Sequence, residues 1–281
     1  MIRCRSTVLV VHTAICLSTL LLCGLPPAAA GEENGAVYTE PCFEFAGRTY
    51  RIGLSLDPVG LDYLEIDPRG QGEFRNVLAY SGKPSTLWVG IGGWGTDQPG
   101  RPAAVLLKRS PDVVTLAIQG IEFVGFLPAT LGRVPPLTAD WVFEFREDCF
   151  DLSLTWKVKE DIAGLQEAGW ALNLDLPYYG DADERRRQSG DVQGFPRWLA
   201  WYGDDLGVAA AFRERSTGLT ANRWYGNLKS SYIIIHTWWQ PGGGQVTWGD
   251  YPGGTWRIGF FGGRDELGQA ELLYRDLNQT P

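Results

Sequence analysis

The 281-residue chain is poor in the residues that build most catalytic centres: two histidines, five cysteines and one methionine. The methionine is the initiator, and His12, Cys4, Cys16 and Cys23 fall within the first thirty residues. Beyond residue 30 there is one imidazole, His236, and two thiols, Cys42 and Cys149. These three cannot assemble an ordinary structural zinc site, which takes four ligands. A serine triad is open only through His236, because a triad needs that imidazole as its base. No Walker loop, H-E-x-x-H or nucleophile elbow occurs. Positive charge is also short, with 25 Lys and Arg against 33 Asp and Glu, a formal net charge of −8. The densest basic run, Arg185-Arg186-Arg187, is flanked by Asp181, Asp183, Glu184 and Asp191, which cancel most of its field. Such a balance argues against nucleic acid and against anionic membranes as partners. No internal repeat is visible, which weakens a propeller.

The first thirty residues read as an address. Arg3 and Arg5 form a basic start, Val8 to Leu22 are largely apolar, and Ala28-Ala29-Ala30 is an A-x-A cleavage site. The expected destination is secreted or periplasmic, with no membrane span, since the apolar core is too short. Leu21-Leu22-Cys23-Gly24 resembles a lipoprotein box, but Leu22 stands where a small residue belongs, so a lipid anchor is not expected. Residues 31–281 are then expected as one domain. In an oxidising compartment Cys42 and Cys149 suggest one disulfide. Closing a loop of about a hundred residues would stabilise by roughly 4–5 kcal/mol in the chain-entropy picture.

What the chain has is alternation. In Trp141–Asp161, Trp141, Phe143 and Phe145, then Phe150, Leu152, Leu154, Trp156 and Val158, alternate with polar partners around a break at Glu147-Asp148. That is a hairpin of two long strands with one buried face. Further strands are expected at Tyr50–Leu56, up to Ile66, Ser85–Ile91, within Val113–Phe126, Trp170–Leu176, Trp198–Tyr202, Leu206–Phe212, Ser231–Gln240 and Thr255–Phe261, with a glycine-rich turn at Pro241–Gly244. Residues 177–197 show no apolar period. Leu267, Ala270, Leu273 and Leu277 recur at helical spacing behind Asp265 as N-cap, which predicts a short helix over 265–277. The fold class is therefore all-β: a large antiparallel two-sheet β-sandwich with a short C-terminal helix.

Candidate chemistry is scattered. Gly90-Ile91-Gly92-Gly93-Trp94-Gly95 matches G-x-G-x-x-G, but no helix follows, so it reads as a turn or bulge. Alternation puts Tyr232, Ile234, His236 and Trp238 on one face of their strand, and Ile233, Ile235, Thr237 and Trp239 on the other. His236 reads either as a satisfied polar residue beside the core or as a general acid or base in a groove walled by Tyr232 and Trp238. Of twelve tryptophans, about half are expected in the core. Aromatic faces outside it suit sugar rings, which nominates Trp198, Trp201, Tyr202, Trp224, Tyr225, Trp238 and Trp239, with Arg223 beside them. Asp175, Glu167 and Glu144 are the carboxylates that could work as acid or base, Asp175 with His236 and Tyr232 first among them. Asp181-Ala182-Asp183 starts like a calcium loop, but Arg185 and Arg186 break the EF-hand pattern. No cofactor or metal is called for, an irregular calcium site aside.

The long strands Trp141–Phe145 and Leu154–Val158, the run Ala168–Pro177, and the ending Gln269–Leu277 together resemble the galactose-mutarotase-like super-sandwich of carbohydrate-active enzymes. The last of these resembles the linker helix that follows such a sandwich ahead of an (α/α) barrel. Mutarotases use histidine with a late glutamate, and a single histidine departs from that complement, so none of their catalytic residues carries over by motif. Aromatic abundance, secretion and the absence of a catalytic motif lead to the expectation of a secreted β-sandwich that binds a glycan through an aromatic-lined groove, a stand-alone relative of the non-catalytic domain in such enzymes. The alternatives are a sugar-active enzyme (lyase, epimerase or hydrolase) using His236 with Tyr232 or a carboxylate, and an envelope protein-binding module.

Overall fold

A computed structural model describes residues 35–79, 85–92, 94–124, 134–181, 191–194, 197–213, 223–227 and 232–279. For 94, 191–194, 223–227, 232–234, 236 and 239–241 it describes the backbone alone. The leader and its Ala30 cleavage site, Arg185–Arg187 and Asp183 lie outside the described residues. Residues 35–281 cluster as one compact unit.

The strands follow in chain order. The N-terminal part gives β1 (Ala36–Val37), β2 (Cys42–Ala46), β3 (Tyr50–Leu56), β4 (Val59–Ile66) and β5 (Arg75–Asn76). Next come β6 (Leu87–Ile91), β7 (Trp94–Thr96), β8 (Ala104–Arg109), β9 (Val114–Ile121), β10 (Leu137–Phe145), β11 (Cys149–Val158) and β12 (Ile162–Ala171). The rest are β13 (Tyr178–Asp181), β14 (Asp191–Gly194), β15 (Trp198–Tyr202), β16 (Gly207–Phe212), β17 (Arg223–Asn227), β18 (Tyr232–Val246) and β19 (Gly249–Phe261), then helix α1 (Gln269–Gln279).

The antiparallel sandwich expected from alternation is present. Nine strands form one sheet in the order β1-β8-β9-β10-β11-β19-β16-β15-β13, and six form the other, β14-β17-β18-β12-β6-β7. The N-terminal strands add a third sheet, β2-β3-β4-β5. The β10–β11 hairpin pairs Trp141 with Leu154 and Phe143 with Leu152, so the alternating apolar residues all face one way, and they are buried. Two contacts tie the large sheets face to face. The Trp156 indole N–H on β11 donates to Thr237 Oγ1 on β18 at 2.7 Å, and Trp170 on β12 meets Trp256 on β19 edge to face at 5.4 Å. Phe43 and Phe45 of the small sheet stack on Phe145, which closes the core with aromatic area.

Three expectations need correction. Cys42 and Cys149 are not joined in a disulfide. The turn at Gly47 is where β2–β3 meets β10–β11, with Arg48 N donating to Glu147 O at 2.7 Å. Cys42 lies at the far end of β2 from that turn, about 16 Å along the strand, and a bridge needs Cα atoms within about 7 Å. Pro241–Gly244 is no turn: β18 runs through it to Val246, and the reversal falls at Thr247-Trp248. The helix starts late, because Asp265 sits in a 3-10 turn after Gly263 with no side-chain cap. Glu266 instead accepts the Gly262 N–H at 2.7 Å. Ala270, Tyr274 and Leu277 are its buried face.

Candidate functional site in the six-stranded sheet

The site is built on the face of the six-stranded sheet turned away from the core. On β6, Leu87, Val89 and Ile91 are buried inward, so Trp88 and Gly90 occupy the outward positions. On β12, Trp170 is inward, which makes Gly169 outward. On β18, Ile235 and Thr237 are buried, and His236 holds the alternate position between them. Register joins these positions into one cross-strand row: Trp88 opposite Gly169, Gly169 opposite His236, His236 opposite Arg223. One row along, Gly90 stands opposite Glu167 and Glu167 opposite Trp239. Same-face neighbours on adjacent strands are within reach of long side chains.

The glycine run now has a physical role. Gly90 and Gly95 pair across the β6–β7 hairpin. A Cβ on Gly90 would stand 2.7 Å from Glu167 Cγ and 2.9 Å from its Oε1. One on Gly95 would stand 2.7 Å from the Trp88 ring. The missing side chains therefore leave the room that the Glu167 side chain and the edge of the Trp88 indole occupy. Trp88 is half-buried, and its Nε1 is buried with no hydrogen-bond partner among the described residues. The G-x-G-x-x-G match is a hairpin, as its lack of a following helix implied.

A second glycine feature shapes the sheet. Gly164 on β12 and Gly243 on β18, with Gly92 in the turn that follows β6, all have positive φ (79°, 74° and 55°). Gly92 N donates to Gly164 O at 2.9 Å, and a Cβ on Gly243 would meet Gly164 Cα at 2.9 Å. Register shifts in β12 fall on either side of Leu165. Aligned bulges of this kind bend a sheet, so the Glu167 row lies beside a crease.

The sequence-derived candidates sort into three groups. His236 and Arg223 share the row, while Tyr232 lies four residues from His236 on β18 opposite Asn227, about 13 Å along the strand. Trp224 and Tyr225 stand opposite Ile235 and Ile234. The side chains of Arg223, Trp224, Tyr225, Tyr232, His236 and Trp239 are outside the described part.

Trp198, Trp201 and Tyr202 are buried and offer no face to a sugar. Trp198 and Tyr202 belong to the cluster beneath α1, and Trp201 to the main core. Trp238 is half-buried against the main core, because β18 bulges at Thr237-Trp238 opposite Ala168. Its Nε1 donates to Leu165 O at 3.2 Å, so it does not wall a groove as expected. Asp175 is exposed beyond the end of β12, where the chain has crossed to the small sheet and its N donates to Val77 O. It is not in the row; Glu167 is the carboxylate beside His236. Asp181 is buried in β13, and its calcium-loop partner Asp183 lies outside the described residues. Among the described residues no group of three or more His, Cys, Asp or Glu could hold a metal ion, and no helix is long and apolar enough to cross a membrane. Trp88 was missed by sequence reading, although glycines at alternate positions opposite a large ring were the available signal.

No family model matches the chain, and no curated protein matches it. Solved structures do resemble it. A galactose mutarotase related enzyme from Lactobacillus acidophilus aligns with 80% of this chain and 98% of its own, at 8% identity and a TM-score of 0.47. A putative aldose 1-epimerase from Klebsiella pneumoniae aligns at 10% identity and 0.47, covering 81% and 80%. The α-galactosidase from Lactobacillus brevis aligns at 11% identity and 0.48, with 84% of this chain matching 42% of that one. A YidC insertase also aligns, at 10% identity and 0.38. The likeness is one of strand arrangement.

Proposed function

We propose that the protein is a sugar-active enzyme that moves a proton on its substrate, working outside the cytoplasm on the outward face of the six-stranded sheet. The observation that carries this reading is the register that sets His236 between Gly169 and Arg223, with Glu167 one row away against Gly90. Interconverting the anomers of an aldose takes one group to remove the anomeric hydroxyl proton and another to protonate the ring oxygen. A carboxylate and an imidazole on neighbouring strands supply that pair. Glycoside hydrolysis takes two carboxylates about 5–10 Å apart across the bond, and this row brings one. Arg223 orients the substrate's oxygens, and the Trp88 indole receives the apolar face of the ring.

The test is anomeric exchange followed by polarimetry or NMR on freshly dissolved aldoses, with Glu167→Gln and His236→Ala beside the native protein. Acceleration lost in both variants supports the assignment. Sugar binding with no acceleration would make the protein a binding module on the same face. Neither binding nor turnover across a panel of neutral and acidic sugars removes the sugar reading.

A further inference from the structure

Trp248 is the most exposed large apolar residue described, at 74%. It forms the reversal between β18 and β19, and nothing in the proposed reaction uses it. At that exposure most of the indole surface is open to a ligand. Its support is rigid. The Trp248 N–H donates to Asp161 Oδ1 at 2.9 Å, and the Tyr251 hydroxyl donates to Thr247 O at 2.9 Å. Glu160 and Asp161 in the turn before β12, and Asp250 at the start of β19, are all exposed at this end of the sandwich.

The occupant follows from size and charge. One indole offers about 150–250 Å², whereas a stable protein interface takes roughly 800 Å² per partner around an apolar centre. Three carboxylates in the rim disfavour an anionic membrane surface. A cationic ligand would want a cage of several rings, and among the described residues no ring contact involves Trp248. A single flat apolar face rimmed by acceptor oxygens fits one pyranose, whose C–H face stacks while its hydroxyls donate to carboxylates. We infer that Trp248 is a second saccharide contact, a stacking platform for one ring of a polysaccharide, separate from the Glu167 row. Asp161 and Glu167 are six residues apart on one stretch of chain, about 20 Å, so no monosaccharide spans both. This inference rests on the sugar reading for its ligand class only.

Affinity electrophoresis through gels containing soluble xyloglucan, galactan, pectin or alginate tests it, using the native protein, Trp248→Ala, Trp248→Tyr, Val37→Ala and Glu167→Gln. The expected result is retardation in at least one gel, about tenfold weaker binding for Trp248→Ala, near-native binding for Trp248→Tyr, and no change for Val37→Ala, a control at a comparably exposed apolar residue on β1. Equal retardation of Trp248→Ala and native protein overturns the platform, as does no retardation of the native protein in any gel. Retardation abolished by high salt but unaffected by free oligosaccharide also overturns it, in favour of a charged partner. Loss in Glu167→Gln but not in Trp248→Ala would leave the proposed function standing and remove this one.

Discussion

The two large sheets use their outward faces differently. On the nine-stranded sheet, charges consume one another. Arg257 and Asp151, 8% and 7% exposed at the side chain, form a two-pronged pair at 2.7 and 2.9 Å. Arg146 joins Asp151 at 3.1 Å, and Asp276 of α1 also meets Arg257. The hydrogen bond to Asp151 comes first among the causes that hold the Arg257 guanidinium above its ordinary value. On the six-stranded sheet, the outward row sets a carboxylate beside two glycines and across from an imidazole position. Ionisable groups locked together under a helix hold a fold; the proposed function assigns the Glu167 carboxylate to a ligand instead.

The sharpest way to break that contrast is to exchange the consequences. Arg257→Ala leaves the buried Asp151 carboxylate to Arg146 alone, and removing one partner of a buried pair costs up to about 3–5 kcal/mol. Denaturant titration should show that loss. A change within experimental error would mean the outer pair is dispensable. Glu167→Gln should do the reverse, with stability near native and turnover down about 10²–10⁴-fold. Gly90→Ala sharpens the comparison further, because its Cβ invades the space of Glu167 and not of the core. A displacement of this size is expected to cost turnover up to about 10²-fold, with at most 1–3 kcal/mol of strain. Full activity in Gly90→Ala would show that Gly90 does not position the carboxylate.

Much of the fold was legible because two-residue alternation survives wherever one face is buried, as in Trp141–Val158. Legibility failed where glycine intervened. Pro241–Gly244 looks like a turn in one dimension, yet with no side chains to clash the strand bulges and continues. The same residues hid the crease. Trp201 and Trp198 looked like platforms because aromatic content says nothing about which side is inward. Both faces of β15 are buried, one in the main core and one beneath α1, so alternation could not mark an outside. Glu167 drew notice as a carboxylate, but its neighbour across the sheet depends on a register shift at Ala168–Gly169, which no local pattern encodes.

The smallest expected effect concerns the edge of the locked region. Burial pushes the Glu271 carboxyl up, but hydrogen bonds from the Trp198 indole and the Arg275 guanidinium outweigh it and hold the group below its ordinary value of 4.5. Trp198 Nε1 donates to Glu271 Oε2 at 2.9 Å, and Arg275 donates to Oε1 at 3.0 Å. A carboxyl depressed in the folded state contributes stability that is fully present above its unfolded value and is lost as pH falls through the folded one. Helix α1 should therefore loosen as pH drops below about 4.5, seen as a change in Trp198 fluorescence before global unfolding. Glu271→Gln should remove that early step and leave the rest of the acid transition in place. The six-stranded sheet offers a control, because α1 packs on β15, β16 and β19 of the other sheet. If acidification moved sugar turnover and Trp198 fluorescence together in Glu271→Gln as in the native protein, the two faces would not be the separate devices that their charge chemistry indicates.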